Sequence, residues 1–91
     1  MKTVNFQTSK LIFLEGDHGD EAYRIIEGLV EIYIQRDGQK LILGRLGVGE
    51  TFGEMAMVDR RPRLATARAL EPTILEAVSY THLTLPTKRI V

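Results

Sequence analysis

The sequence predicts an all-β domain, a small sandwich or jelly roll carrying one short helix. Three observations point there. Short apolar segments recur from Leu11 to Val78 and are divided by turns rich in glycine, aspartate and proline. Within one of them Val30, Ile32 and Ile34 alternate with polar or amphipathic residues, the period-two pattern of a strand with one buried face. Helix-favouring residues gather only in Glu54-Met55-Ala56-Met57-Val58, a run too short for more than a turn or so.

The elements follow in order. Leu11 to Leu14 reads as a strand, followed by the polar loop Glu15-Gly16-Asp17-His18-Gly19-Asp20. Ala22 to Ile26 reads as the next strand, with Glu27-Gly28 a tight hairpin candidate leading into Leu29 to Ile34. Asp37-Gly38 then predicts a two-residue hairpin, because both central residues of such a turn take positive φ. Lys40 to Leu46 is the returning strand. Gly47 and Gly49 loosen the chain before Thr51-Phe52, and the helical turn over 54–58 is closed by Asp59 and blocked by Pro62. Leu64 to Ala69 and Thr73 to Val78 are two further strands, split at Glu71-Pro72.

Composition narrows the function. Ninety-one residues make one domain. A hydrophobic fraction of 44% supports a packed core rather than disorder. Twelve basic residues balance twelve acidic ones, which gives no footprint for direct nucleic-acid contact. Cysteine is absent, which excludes disulfides, iron–sulfur clusters and thiolate metal sites. His18 and His82 are far apart in sequence and do not form the histidine–carboxylate cluster of a metal-dependent jelly-roll enzyme. Met1 to Lys10 lacks the apolar core of a signal peptide, and no stretch has the length of a membrane span. A cytoplasmic location is the expectation.

The chemistry concentrates in Phe52-Gly53-Glu54-Met55-Ala56 and Pro62-Arg63-Leu64-Ala65. A helix start offers unpaired N–H groups and a partial positive charge that suit a phosphate. Gly53 lets a ligand approach the backbone, and small Ala56 leaves the helix start uncrowded. Glu54 can accept from vicinal hydroxyls such as those of a ribose. Arg63, nine positions later, carries a planar fork that can take two phosphate oxygens together. Taken singly, Glu54 is equally a carboxylate complementing a helix start and Arg63 a surface cation. The spacing with Gly53, Ala56 and Pro62 is what argues for a site.

This pair of runs resembles the phosphate-binding cassette of cyclic nucleotide-binding domains of the CRP and cyclic AMP-dependent kinase regulatory-subunit type. The resemblance covers about Val4 to Val78 and includes Phe13, Gly16, Gly19, Asp20, Tyr23, Ile25 and Gly28, together with the approach Gly49-Glu50-Thr51-Phe52. It implies an eight-stranded jelly roll over 1–78 that senses cyclic AMP, less readily cyclic GMP, without catalysis. It assigns Glu54 to the ribose 2′-hydroxyl and Arg63 to the cyclic phosphate. Amides near Gly53, Met55 and Ala56 complete the cradle, and Leu64 and Ala65 follow on the ligand side. The nucleotide is a ligand; no cofactor or metal is expected.

Leu64 departs from the family, which commonly has alanine, serine or threonine after the arginine. A leucine offers no hydroxyl to guanine and tilts the expectation toward the adenine form. The alternative reading is a structural β-roll with a degenerate pocket, used for protein contacts. Residues 79–91 are expected to be a non-native tail, since Val78 to Thr87 can be encoded by GTC TCT TAT ACA CAT CTG ACG CTG CCG ACG, which resembles a transposon-end sequencing adapter read in frame. On that reading the family's capping helix and any effector domain are missing from the chain.

Overall fold

A computed structural model describes residues 2–19, 21–54 and 62–78. Eight strands run in chain order: β1 (Lys2–Phe6), β2 (Leu11–Phe13), β3 (Ala22–Glu27), β4 (Val30–Arg36), β5 (Gln39–Leu46), β6 (Thr51–Phe52), β7 (Thr66–Ala69) and β8 (Thr73–Val78). They form two four-stranded sheets, ordered β1-β8-β3-β6 and β2-β7-β4-β5. Every pairing is antiparallel. The all-β jelly-roll architecture expected from the sequence is therefore what the chain adopts. Of the helical turn expected over 54–58, Glu54 alone falls within the described residues, and Met55 and Ala56 lie outside them. The tail expected over 79–91 also lies outside them.

The Asp37-Gly38 hairpin forms as expected. Arg36 pairs with Gln39 across it, and Asp37 and Gly38 take φ of 54° and 76°. The Glu27-Gly28 hairpin does not form. Strand β3 pairs with β8 and β6, whereas β4 pairs with β5 and β7, so Gly28-Leu29 carries the chain from one sheet to the other. The corner is pinned by the hydroxyl of Thr73, which accepts from the Leu29 amide at 3.3 Å and lies 2.7 Å from the Glu71 carbonyl. Strand β7 starts at Thr66, so Leu64 and Ala65 form its lead-in and not its first residues.

The core lies between the sheets. Phe13, Ile25, Val30, Ile32, Leu46, Phe52, Ala65, Ala67 and Leu75 form its buried cluster. Val30 and Ile32 supply the alternation seen in the sequence. The opposite face of β4 is also covered: Glu31 is buried between Lys40 and Arg45, and the Lys40 ammonium sits 4.6 Å from the Tyr33 ring centroid. Long basic stems can cover a sheet face while keeping their heads in water. At one end of the core three rings meet. Phe13 of one sheet packs on Tyr23 and Phe52 of the other, with centroids 6.3 and 5.9 Å away, and Tyr23 and Phe52 lie 5.7 Å apart.

Candidate functional site

The site is built at this aromatic end, where two distant segments are tied by backbone. The turn after β2 closes when the Asp17 amide donates to the Leu14 carbonyl at 3.0 Å, with Gly16 at φ 92°. Arg63 docks on that turn through its own backbone. Its amide donates to the Asp17 carbonyl at 2.7 Å, and its carbonyl accepts from the Gly16 amide at 2.8 Å. Thr66 adds a third tie, its hydroxyl accepting from the Glu15 amide at 2.9 Å. Thr66 is buried and braces the loop.

The Arg63 side chain points into the protein and is only 5% exposed. Nη1 donates to the Gly53 carbonyl and Nη2 to the Glu21 carbonyl, each at 2.8 Å. The guanidinium carbon lies 4.2 Å from the Phe13 ring centroid. Gly53 has two reasons to be glycine. Its φ is 82°, and a Cβ there would stand 2.7 Å from Nη1 of Arg63.

Glu54 comes directly after Gly53 and is fully buried. Arg63, distant in sequence, is thus tied by a side-chain hydrogen bond to the carbonyl of Gly53, the residue before Glu54. Ala65 is fully buried in the core cluster, whereas Leu64 is 45% exposed. Gly53, Glu54, Arg63, Leu64 and Ala65 are therefore placed, with Gly53, Glu54 and Arg63 brought together. Chemically, the group is a fixed planar cation packed against a positive-φ glycine, with a buried carboxylate next in the chain. That combination suits a small anion with neighbouring hydroxyls.

Three contributors are not evident from sequence. Phe13 belongs to the core cluster, and its ring also carries the guanidinium. Gly19 reads as a turn glycine; a Cβ there would meet Nη2 at 2.6 Å. The Glu21 contribution is a main-chain carbonyl, which every residue type possesses. The only available signal is the loop Gly16 to Gly19 directly after an aromatic strand end. Among the described residues no group of histidine, cysteine, aspartate and glutamate has a metal-holding arrangement. Among them, too, no helix is long and apolar enough to cross a membrane.

A model of the cyclic nucleotide-binding domain matches residues 3–84. The chain belongs to the cyclic nucleotide-binding domain family. Relatives include the cyclic AMP receptor protein of Thermus thermophilus, 39% identical over 74 residues, a match spanning 80% of this chain and 34% of that protein. The type II regulatory subunit of cAMP-dependent protein kinase from Drosophila melanogaster is 35% identical, over 71% of this chain and 17% of that protein. This cyclic nucleotide-binding domain thus corresponds to about a third or less of these relatives' lengths. Among solved structures, the cyclic AMP-bound form of the EAL enzyme Bd1971 superposes with a TM-score of 0.83 at 45% identity, covering 86% of this chain and 21% of that one. The same enzyme is also known in a cyclic GMP-bound form, which matches equally.

Proposed function

We propose that this domain is a non-catalytic sensor module that binds a cyclic mononucleotide, cyclic AMP in preference to cyclic GMP. The observation that carries the reading is the buried Arg63 guanidinium held at 2.8 Å from the Gly53 carbonyl, one residue from buried Glu54. Arg63 takes the cyclic phosphate, and Glu54 takes the ribose 2′-hydroxyl. Amides near Gly53, Met55 and Ala56 complete the cradle, Leu64 follows the arginine on the ligand side, and Ala65, its side chain buried in the core, contributes there only through its main chain. Leu64 carries no hydroxyl for guanine, which is the basis for the adenine preference. Relatives that bind cyclic AMP or cyclic GMP support this reading. Hydrogen bonds to charged groups contribute roughly 1.5–3 kcal/mol each, so three of them support a dissociation constant of about 1 μM.

Titration calorimetry of the chain with cyclic AMP, cyclic GMP and adenosine tests the proposal. Saturable heat with cyclic AMP, weaker heat with cyclic GMP and none with adenosine is expected. No heat with either cyclic nucleotide at high micromolar concentration overturns the proposal and leaves the structural β-roll. Glu54→Ala is expected to weaken cyclic AMP about tenfold or more. The same change removes the preference for cyclic AMP over its 2′-deoxy analogue, because the lost acceptor served that hydroxyl. An unchanged ratio between the two ligands counts against the role given to Glu54.

A further inference from the structure

The Arg63 guanidinium is enclosed on more sides than two hydrogen bonds require. Its carbon lies 4.2 Å from the Phe13 centroid and 6.0 Å from the Tyr23 centroid. Gly19 and Gly53 border it so closely that a Cβ on either would stand 2.6 or 2.7 Å from a guanidinium nitrogen. The Gly53 and Glu21 carbonyls hold its two ends. Phe13 itself is 8% exposed and is fixed by Tyr23, stacked at 28°, and by Phe52, tilted at 41°. A ring held by two other rings is a rigid floor.

We propose that Phe13 is a positioning residue for Arg63: its ring face, with Gly19 and Gly53 as side walls, fixes the guanidinium plane in the phosphate-receiving orientation before ligand arrives. The proposal rests on the cyclic nucleotide reading above and adds to it a determinant of affinity outside the cassette. The physical reason is entropic and electrostatic together. An arginine side chain has many rotamers, and freezing them on binding weakens affinity. A cation over a desolvated aromatic face is attracted to it, so the ordering is already present in the free protein. The glycine walls act by size: each leaves the space that the guanidinium fills, and a methyl group there displaces it.

Phe13→Leu separates positioning from packing. Leucine keeps an apolar side chain in the core but has no ring face. In wild-type protein without ligand, the Arg63 Hε proton is expected to resonate upfield of ordinary arginine values because of the ring current. In Phe13→Leu that shift disappears, and cyclic AMP affinity falls about tenfold. Phe13→Tyr restores both the shift and the affinity. In an Arg63→Lys background, Phe13→Leu has a smaller effect on affinity than in the wild type, because the planar group it orients is gone. A purely packing role predicts equal loss in both backgrounds and no rescue tied to the ring. An unshifted Hε in the wild type, or an affinity unchanged by Phe13→Leu in a folded protein, overturns the proposal. If Phe13→Leu does not fold, Gly19→Ala replaces it: loss of the Hε shift with weakened binding supports the slot, and neither change overturns it. Should the wild type bind no cyclic nucleotide, the proposed function fails, whereas the Hε shift without ligand still decides whether Phe13 orders Arg63.

Discussion

Arg63→Ala is expected to lower cyclic AMP affinity by about 10²–10⁴-fold. Two charge-assisted hydrogen bonds at roughly 1.5–3 kcal/mol each are lost together, and about 1.4 kcal/mol corresponds to a factor of ten. The change also removes the donors to the Gly53 and Glu21 carbonyls, which lie 10 and 42 residues from Arg63 in sequence and are joined through it. A loss of stability must therefore accompany the loss of binding, about 1–3 kcal/mol for each carbonyl left unpaired. Arg63→Lys separates the two. A lysine retains the positive charge but cannot present a planar fork to two oxygens. It is expected to keep more stability than alanine and still lose most of the affinity. Calorimetry on samples verified as folded by circular dichroism reads both. Wild-type affinity in a folded Arg63→Lys protein contradicts the bidentate role.

Gly28→Ala is expected to give the largest stability loss of a single added methyl group. Gly28 turns the chain from β3 into β4 at φ 107°, a conformation that L residues rarely adopt. An added Cβ would stand 2.3 Å from the Thr73 hydroxyl oxygen and 2.7 Å from both the Pro72 carbonyl oxygen and the Thr73 Cα. The hydroxyl cannot simply rotate away, because it binds the Leu29 amide and the Glu71 carbonyl. Two of the three clashing atoms are backbone. Backbone strain of about 1–2 kcal/mol and overpacking of about 1–3 kcal/mol together approach half the stability of many domains this size. A fall in Tm of about 10–25 °C follows, read by thermal denaturation. A shift of less than a few degrees contradicts this account of the corner.

The two glycine-bearing turns show how far the sequence could be read. Asp37-Gly38 lies between strands that pair with each other, and local turn chemistry is sufficient to predict it. Glu27-Gly28 carries a similar signal, yet its flanking strands belong to different sheets. Positive φ at glycine states that the chain turns; it does not state which strand lies beside it afterwards. That is decided by β8 and β7 far along the chain. Strand β1 was not legible because Lys2–Phe6 is mostly polar; it pairs with β8 at the sheet edge, where one side needs no partner. Short β6, the two residues Thr51–Phe52, was visible only as the approach to the glycine.

The candidate site divides in the same way. Gly53, Glu54 and Arg63 stood out because side-chain chemistry and spacing are written in sequence. The slot around the guanidinium did not, since it consists of a ring, a glycine with no side chain and carbonyls contributed by loops. Arg63 reaches Gly53 and Glu21 only because its backbone is first docked on Gly16 and Asp17.

The central claim is that Arg63 in this slot receives the cyclic phosphate. The Arg63 Nε–Hε resonance, followed during titration with cyclic AMP and with adenosine as the phosphate-free control, tests it most directly. A saturable shift with cyclic AMP, matching the calorimetric affinity, and no shift with adenosine is the predicted result. A resonance that stays in place while cyclic AMP saturates the protein contradicts the claim.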